Sequence, residues 1–157
     1  MTPPPTETTP IHWHDGLLLG YAPMDAVHEE FVHCVQALQA APDAELPALL
    51  AQLADHAVRH FGEEDRWMED TQFPARECHI NEHAAVMKSV GEVQALLAQG
   101  NTAVCRRLAQ ELANWFPGHA DYLDSALAHW MCKQRLGGKL VVIRRDLGAR
   151  LAPGAAD

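Results

Sequence analysis

Apolar residues recur every three or four positions in four segments of the chain, with polar residues between them. This spacing lines apolar side chains along one face of an α-helix and so predicts four amphipathic helices. We place them at residues 23–41, 43–70, 75–99 and 102–134. Because the connections between them are short, we expect an all-α protein, an up-down-up-down four-helix bundle.

Proline, glycine and capping residues mark the predicted helix ends. Pro23 suits the first turn of the first helix, where a missing N–H costs little. Asp43 is a favourable N-cap for the second helix. Pro74 closes the connection to the third helix, and Gly100 is the expected stop at its end.

The sequence predicts one folded domain with a segment at either end. Residues 1–10 are rich in proline and threonine, which predicts a disordered arm. Residues 11–136 form the predicted bundle, which begins with an ordered loop anchored by Trp13. Residues 137–157 form a C-terminal extension, whose apolar run at 140–143 is suited to packing against the bundle as an extended arm.

Seven imidazole or carboxylate side chains occupy positions within or beside the apolar stripes of these helices. Such groups are costly to bury unless they are paired, and coordination to a metal ion removes that cost. Imidazole and carboxylate are ligands of iron and related metals, and one zinc ion takes only about four ligands. The pattern therefore predicts two metal ions bridged by the carboxylates. The predicted ligands are His28, His60, Glu64, His79, His83, His119 and Asp124.

The fourth helix needs a local distortion to present both of its ligands. His119 and Asp124 are five residues apart, which is about 140° around a regular α-helix. Pro117 also removes a hydrogen bond to the carbonyl of Ala113. We therefore predict a kink or a π-type bulge between residues 113 and 124. After His119 we expect these residues to face inward: Tyr122/Leu123, Ala126 and Trp130.

Composition narrows the range of partners and compartments. The net charge of −9 argues against binding to nucleic acid or to an anionic membrane surface. No stretch has the roughly 18 apolar residues of a membrane helix, and we see no signal peptide. The four cysteines form no C-x2-C pair, so we expect buried free thiols and a cytoplasmic location.

The ligand pattern resembles the hemerythrins, in particular the single-domain bacterial hemerythrin-like proteins. The similar segments cover residues 11–130: Trp13 with the Leu-Gly turn after it, MDAVHEEF, HFGEEDRWM, FPARECHINEH and WFPGHADYLD. The resemblance implies two iron ions joined by an oxo or hydroxo group and by the carboxylates of Glu64 and Asp124. One iron would be held by three of the histidines, namely His79, His83 and His119. The other would be held by the remaining two, His28 and His60, and would bind O2 at an open position.

Several nearby residues receive less specific expectations. Trp115, one turn before His119, is expected to form a wall of the oxygen pocket. His56 is interpreted as a buried residue beside the ligands rather than as a ligand. Cys78 should point away from the metals. The remaining histidines and the carboxylates beside Glu64 are expected to be exposed: His12, His14, His33, His129, Glu63 and Asp65.

We therefore expect a non-haem di-iron protein that binds O2 reversibly and serves oxygen storage, delivery or sensing, with an unidentified redox or signalling partner where it signals. The ligand would be O2 or a related small diatomic molecule or peroxide. The alternatives are a di-iron enzyme that reduces peroxide or nitric oxide, an iron-handling protein, or a purely structural metal bundle. The residue types alone accept manganese or zinc as well as iron.

Overall fold

The computed structural model describes residues 9–136, and these residues are almost entirely helical. Five α-helices follow one another: α1 (Ala22–Ala40), α2 (Leu46–Asp70), α3 (Arg76–Ala98), α4 (Thr102–His119) and α5 (Ser125–Met131). A π-helical turn, Ala120–Asp124, joins α4 to α5, so that the two form one continuous rod. Residues 9–136 contain no strand. No helix among them combines the length and apolar character needed to span a membrane.

The four rods form the predicted four-helix bundle. The first rod, α1, packs against α2 and α4, and α3 packs against the same two helices from the other side. Short connections reverse the chain between successive rods. The expected N-terminal arm, residues 1–10, lies outside the described residues except for its last two, and the expected C-terminal extension, residues 137–157, lies outside them entirely.

Two apolar clusters fill the interior. The larger cluster takes in the second half of α1, the first half of α2, the second half of α3 and most of α4, together with Ile11 and Leu17 from the N-terminal loop. The smaller cluster lies at the other end of the bundle. Its buried members are Tyr21, Met24, Trp67, Met68, Phe73, Leu127, Ala128, Met131 and Cys132.

The helix ends follow the local sequence closely, with one difference. Pro23 lies in the first turn of α1, and Gly100 follows α3 with a φ of 91°, a conformation that favours glycine. The side chain of Asn101 caps α4 by accepting a hydrogen bond from Val104 N–H at 3.1 Å. Asp43 is not the N-cap of α2, because residues Asp43–Glu45 form a 3-10 turn and α2 begins at Leu46.

The N-terminal loop is ordered against the bundle, as the sequence predicts. The amide of Ile11 donates to Gln39 Oε1 at 2.9 Å. Asp25 in the first turn of α1 accepts hydrogen bonds from the amides of Leu19 and Gly20, at 2.8 and 3.0 Å. Trp13 is half-buried and packs against the larger cluster. These contacts fix the chain entering α1.

The π-turn at Ala120–Asp124 lies within the range predicted for a distortion, but it changes which residues within it and after it face inward. Tyr122 is 82% exposed and Ala126 is also exposed, so the expectation that they face inward is wrong. Leu123 and Trp130 are only half-buried. The wide turn advances the inward face by one residue. The buried positions from the last residue of the turn to the end of α5 are Asp124, Leu127, Ala128 and Met131.

All four cysteines are free, but only two have the predicted burial. Cys105 and Cys132 are buried, Cys34 is half-buried and Cys78 is exposed. The prediction of a buried thiol is therefore wrong for Cys78. Its exposure agrees with the expectation that its side chain points away from the clustered histidines.

Candidate metal centre

Between the two apolar clusters lies a layer of polar side chains, which we call the polar layer. All seven predicted ligands belong to it, and none is more than 4% exposed. The layer is reached early in α1, late in α2, early in α3 and late in the α4–α5 rod, as expected where rods alternate in direction. Its members are His28, His60, Glu64, His79, His83, His119 and Asp124.

Two carboxylates stand at the centre of the polar layer, and the first is Glu64. Its Oε1 lies 3.2 Å from Nε2 of His28 and 3.0 Å from Nε2 of His60. Its Oε2 lies 3.2 Å from Nε2 of His83 and 3.6 Å from Nε2 of His79. Glu64 therefore directs one oxygen toward each of two pairs of histidines.

The second carboxylate, Asp124, has the same divided arrangement. Its Oδ1 lies 2.9 Å from Nε2 of His79 and 3.2 Å from Nε2 of His119. Its Oδ2 lies 3.1 Å from Nε2 of His28. The π-turn makes this possible, because it brings Asp124 to the same face of the rod as His119 despite their five-residue separation.

The possible ligand atoms fall into two groups of suitable size for a metal ion. One group contains Glu64, Asp124 and three histidines, and its ligand atoms lie within 4.8 Å of one another. The other contains Glu64, His28 and His60. We call these the three-histidine group and the two-histidine group. Glu64 belongs to both, as a bridging carboxylate would.

The residues fit a pair of metal ions. Ligands at right angles on one ion, with bonds of about 2.1 Å, lie about 3.0 Å apart. The nitrogen–oxygen separations above are of this size. Several atoms that face the centre are buried and have no hydrogen-bond partner among the described residues: Nε2 of His79, His83 and His119, Oε2 of Glu64 and both oxygens of Asp124. Buried polar atoms normally have partners, and metal coordination would provide them.

The charges in the polar layer perturb one another strongly. Burial alone would lower the pKa of His28, but the carboxylates of Asp124 and Glu64, both within 3.2 Å of its Nε2, raise it to about 10. Burial likewise opposes protonation of His83, but its hydrogen bond to Asp65 and its contact with Glu64 raise its pKa to about 9. Burial and repulsion from Asp124 would raise the pKa of Glu64, yet its close contacts with histidines leave that pKa well below the usual value. Burial would also raise the pKa of Asp124, but its contacts with the neighbouring histidines lower it well below the usual value.

Two further carboxylates contact the Nδ1 atoms of two histidines in the polar layer. The sequence analysis assigned neither carboxylate a function. Asp65 Oδ1 lies 2.7 Å from Nδ1 of His83. Glu82 Oε1 lies 2.8 Å from Nδ1 of His119. The interpretation of Asp65 as a solvated helix charge therefore misses its contact with His83, although its side chain remains 29% exposed. Helical periodicity places Asp65 and Glu82 at the edge of the buried face of their helices. What they contact depends on how the neighbouring helix packs against that edge, which the sequence pattern does not specify.

Aromatic rings surround the polar layer. Trp115, predicted to form a wall of the pocket, stacks on the ring of His119 with centroids 4.3 Å apart. Its Nε1–H donates to Glu82 at 2.8 Å. Trp115 therefore contacts the three-histidine group. Three phenylalanine rings that the sequence analysis did not single out lie against the two-histidine group: Phe31, Phe61 and Phe116. Phe61 also stacks on His83 of the three-histidine group, with centroids 4.2 Å apart.

The remaining histidines lie where they were expected. His56 is buried, with its ring against His60 at a centroid distance of 5.3 Å and its Nδ1 3.5 Å from Glu30. Burial and the nearby His60 and Arg59 lower its pKa to about 4. The other four are exposed: His12, His14, His33 and His129.

A family model and several individual proteins that are similar to this chain all belong to the same family. The family model described as hemerythrin HHE cation binding domain matches residues 19–130, a span that contains the whole polar layer. The bacteriohemerythrin of Ralstonia nicotianae is 37% identical over 124 residues, which cover 79% of this chain and 90% of that protein. The bacteriohemerythrin of Pseudomonas aeruginosa is 27% identical over 128 residues, or 76% of this chain and 82% of the relative. The myohemerythrin of Riftia pachyptila is 24% identical over 116 residues, covering 74% and 89%.

Proposed function

This chain belongs to the hemerythrin family, and from that membership we propose that it holds two iron ions in the polar layer and binds O2 reversibly. The single observation that carries the proposal is the divided geometry of Glu64 and Asp124. Each carboxylate turns one oxygen toward the three-histidine group and one toward His28 of the other pair. A single ion in the three-histidine group would not explain why both carboxylates also turn an oxygen toward His28.

The two ions would have different numbers of protein ligands. His79, His83 and His119 would hold one iron, and His28 and His60 would hold the other, with Glu64 and Asp124 bridging both. The ion of the two-histidine group would keep a free coordination position. Iron in this setting supplies the reversible electron transfer that O2 binding requires.

The surroundings of the two-histidine group favour binding over turnover. Phe31 and Phe116 face the ring of His28 or His60, and apolar walls of this kind keep water and protons away from a bound ligand. An enzyme would need a proton donor beside the open position. Two residues come into question, and Tyr122 points into solvent and cannot serve. His56 lies closer, with its ring 5.3 Å from that of His60, but burial and the neighbouring His60 lower its pKa to about 4, so it carries no extra proton to donate at pH 7. We therefore favour oxygen storage, delivery or sensing over peroxide or nitric-oxide reduction.

The test is an oxygen-binding experiment on the iron-loaded protein. After anaerobic reduction, admission of air should produce a visible charge-transfer band, and removal of oxygen should abolish it. Iron analysis should give about two ions per chain. Rapid consumption of O2 or peroxide with an external reductant would favour the enzyme instead. Bound iron without any colour change would leave only a structural role.

A matched pair of histidine variants links this signal to the polar layer. His79→Ala removes a fully buried group beside both carboxylates and should lose iron and colour together. His129→Ala removes an exposed histidine on α5 and should behave like the wild type. Full iron content in His79→Ala would contradict the proposed ligand set.

A further inference from the structure

The five clustered histidines differ in whether their Nδ1 atoms, the ring nitrogens other than the Nε2 that faces the carboxylates, have a hydrogen-bond partner. Nδ1 of His83 is hydrogen-bonded to Asp65 at 2.7 Å, and Nδ1 of His119 is hydrogen-bonded to Glu82 at 2.8 Å. Both belong to the three-histidine group. Nδ1 of His28, His60 and His79 is buried and has no hydrogen-bond partner within residues 9–136. The two-histidine group therefore has no carboxylate behind either of its rings.

The supporting carboxylates lie at the boundary between the polar layer and solvent. The side chains of Asp65 and Glu82 are 29% and 36% exposed, so both carboxylates are accessible to solvent. Each lies directly behind an imidazole whose other nitrogen faces the polar layer.

A carboxylate hydrogen-bonded to a metal-binding imidazole changes how strongly that imidazole donates electrons to the metal. A carboxylate that accepts the Nδ1–H hydrogen bond makes the imidazole a stronger electron donor through Nε2. Stronger donors favour a metal in its more positive oxidation state. When Fe(II) loses one electron to an external acceptor, its charge rises by one, and a neighbouring anion stabilises the product more than the reactant.

We propose that Asp65 and Glu82 are positioning residues that make an iron in the three-histidine group easier to oxidise than an iron held by His28 and His60. The proposal rests on the proposed di-iron function and deepens it, because it gives the two ions unequal roles. The carboxylate-supported ion is the better electron donor to a ligand. The unsupported ion keeps the open position where that ligand binds.

Trp115 limits the effect of Glu82. Its Nε1–H donates to the same oxygen, Oε1, that contacts His119. A hydrogen bond from a second donor withdraws part of the charge available to the histidine. Removal of this donor should therefore act in the opposite direction to removal of the carboxylate charge, which gives the proposal two tests of opposite sign.

The experiment is a redox titration of the full-length, iron-loaded protein by spectroelectrochemistry. Glu82→Gln and Asp65→Asn keep an acceptor in place but remove the charge. Each should raise the midpoint potential, so that the ratio of oxidised to reduced protein at a fixed potential falls about tenfold, the difference between a charged and a neutral hydrogen bond. Glu92→Gln makes the same charge change at an exposed position on α3 and should leave the potential unchanged.

Further variants separate charge from simple orientation. Glu82→Ala should shift the potential in the same direction as Glu82→Gln if charge is responsible. A silent Glu82→Gln beside a shifted Glu82→Ala would mean that the carboxylate only holds the ring, and would overturn the proposal. Trp115→Phe keeps the stacked ring and should lower the potential, which provides a test even if a carboxylate variant fails to load iron.

Failure of this inference is distinguishable from failure of the proposed function. A wild-type protein that takes up two iron ions but forms no reversible oxygen adduct refutes oxygen binding, while the shift between wild type and Glu82→Gln still decides the role of the carboxylates. Potentials equal to that of the wild type in both carboxylate variants, with iron retained, would overturn the inference alone. A wild type without two redox-active irons would overturn both.

Discussion

At the scale of single residues, protons and metal ions compete for the same nitrogens. His28 and His83 have pKa values of about 10 and about 9 in the metal-free protein, so both are protonated at pH 7. The positive charges balance the carboxylates of Glu64 and Asp124 within the buried layer. Only the neutral imidazole can coordinate a metal, so each ion that binds must displace this charge.

We therefore predict that metal loading at pH 7 releases about two protons per chain from these two histidines, in addition to any proton lost by a water molecule that becomes a bridging hydroxide. Both pKa values lie above 7, so apparent metal affinity should increase as pH rises from 7 toward 9. Calorimetric titration of the metal-free protein with Fe(II) under anaerobic conditions, in buffers of different ionisation enthalpy, measures the number released.

The control for this measurement is His129→Gln, which alters an exposed histidine and should leave proton release unchanged. Asp65→Asn removes one of the hydrogen-bonded carboxylates that raise the pKa of His83. This variant should release fewer protons at pH 7. Release close to zero in the wild type would show that the imidazoles are neutral before metal binds.

The sequence predicts the inner ligands better than the residues that support them. His60, Glu64, His79 and His83 follow the helical period of their apolar neighbours, so periodicity alone directs them inward. Asp65 lies at the margin of its helix face, where the same period allows either solvent or a neighbouring ring. Its contact with His83 depends on how α2 packs against α3, and no local pattern specifies that distance.

At the scale of secondary-structure elements, the π-turn Ala120–Asp124 decides the geometry of the fourth rod. In a π-turn, residues five apart share a face, whereas in a regular α-helix residues four apart do so. The turn therefore brings Asp124 beside His119. The sequence predicts the distortion because Pro117 and the five-residue spacing both require one, but it does not give the register beyond it, since the apolar pattern continues plausibly in either register.

We predict that deletion of Tyr122 converts this rod into a regular α-helix without loss of the metal site. The deletion shortens the separation of His119 and Asp124 to four residues, so both remain on one face. The side chain of Tyr122 is 82% exposed, and its removal costs little buried surface. Metal content, measured by atomic absorption, should stay at about two ions per chain, with thermal stability close to that of the wild type.

The opposite change should be damaging. Insertion of one alanine after Tyr122 adds about 100° of helical rotation between the two ligands. It also turns Leu127 and Met131 away from the smaller apolar cluster. We expect loss of both metals and a lower melting temperature for the insertion. Equal loss of metal in the deletion and the insertion would show that the wide turn itself, rather than the facing of Asp124, is required.

At the scale of the whole molecule, the polar layer separates two hydrophobic clusters of unequal size. Among residues 9–136, the larger cluster has 21 buried members and the smaller has nine. Apolar burial is the main source of folding free energy, so the smaller cluster gains less stabilisation from its own burial than the larger cluster does. Two metal ions, each with ligands from at least two helices, would join the clusters across the layer.

This arrangement predicts uneven loosening when the metals are removed. Hydrogen exchange measured by mass spectrometry should become faster in the smaller cluster, at the end of α2, in the connection to α3 and in α5. The middle of α1 and the first half of α2 pack within the larger cluster and should stay protected. Reloading with metal should restore the original pattern. Uniform loss of protection along all four rods would instead mean that the bundle opens as one unit, and that the metals stabilise both clusters equally.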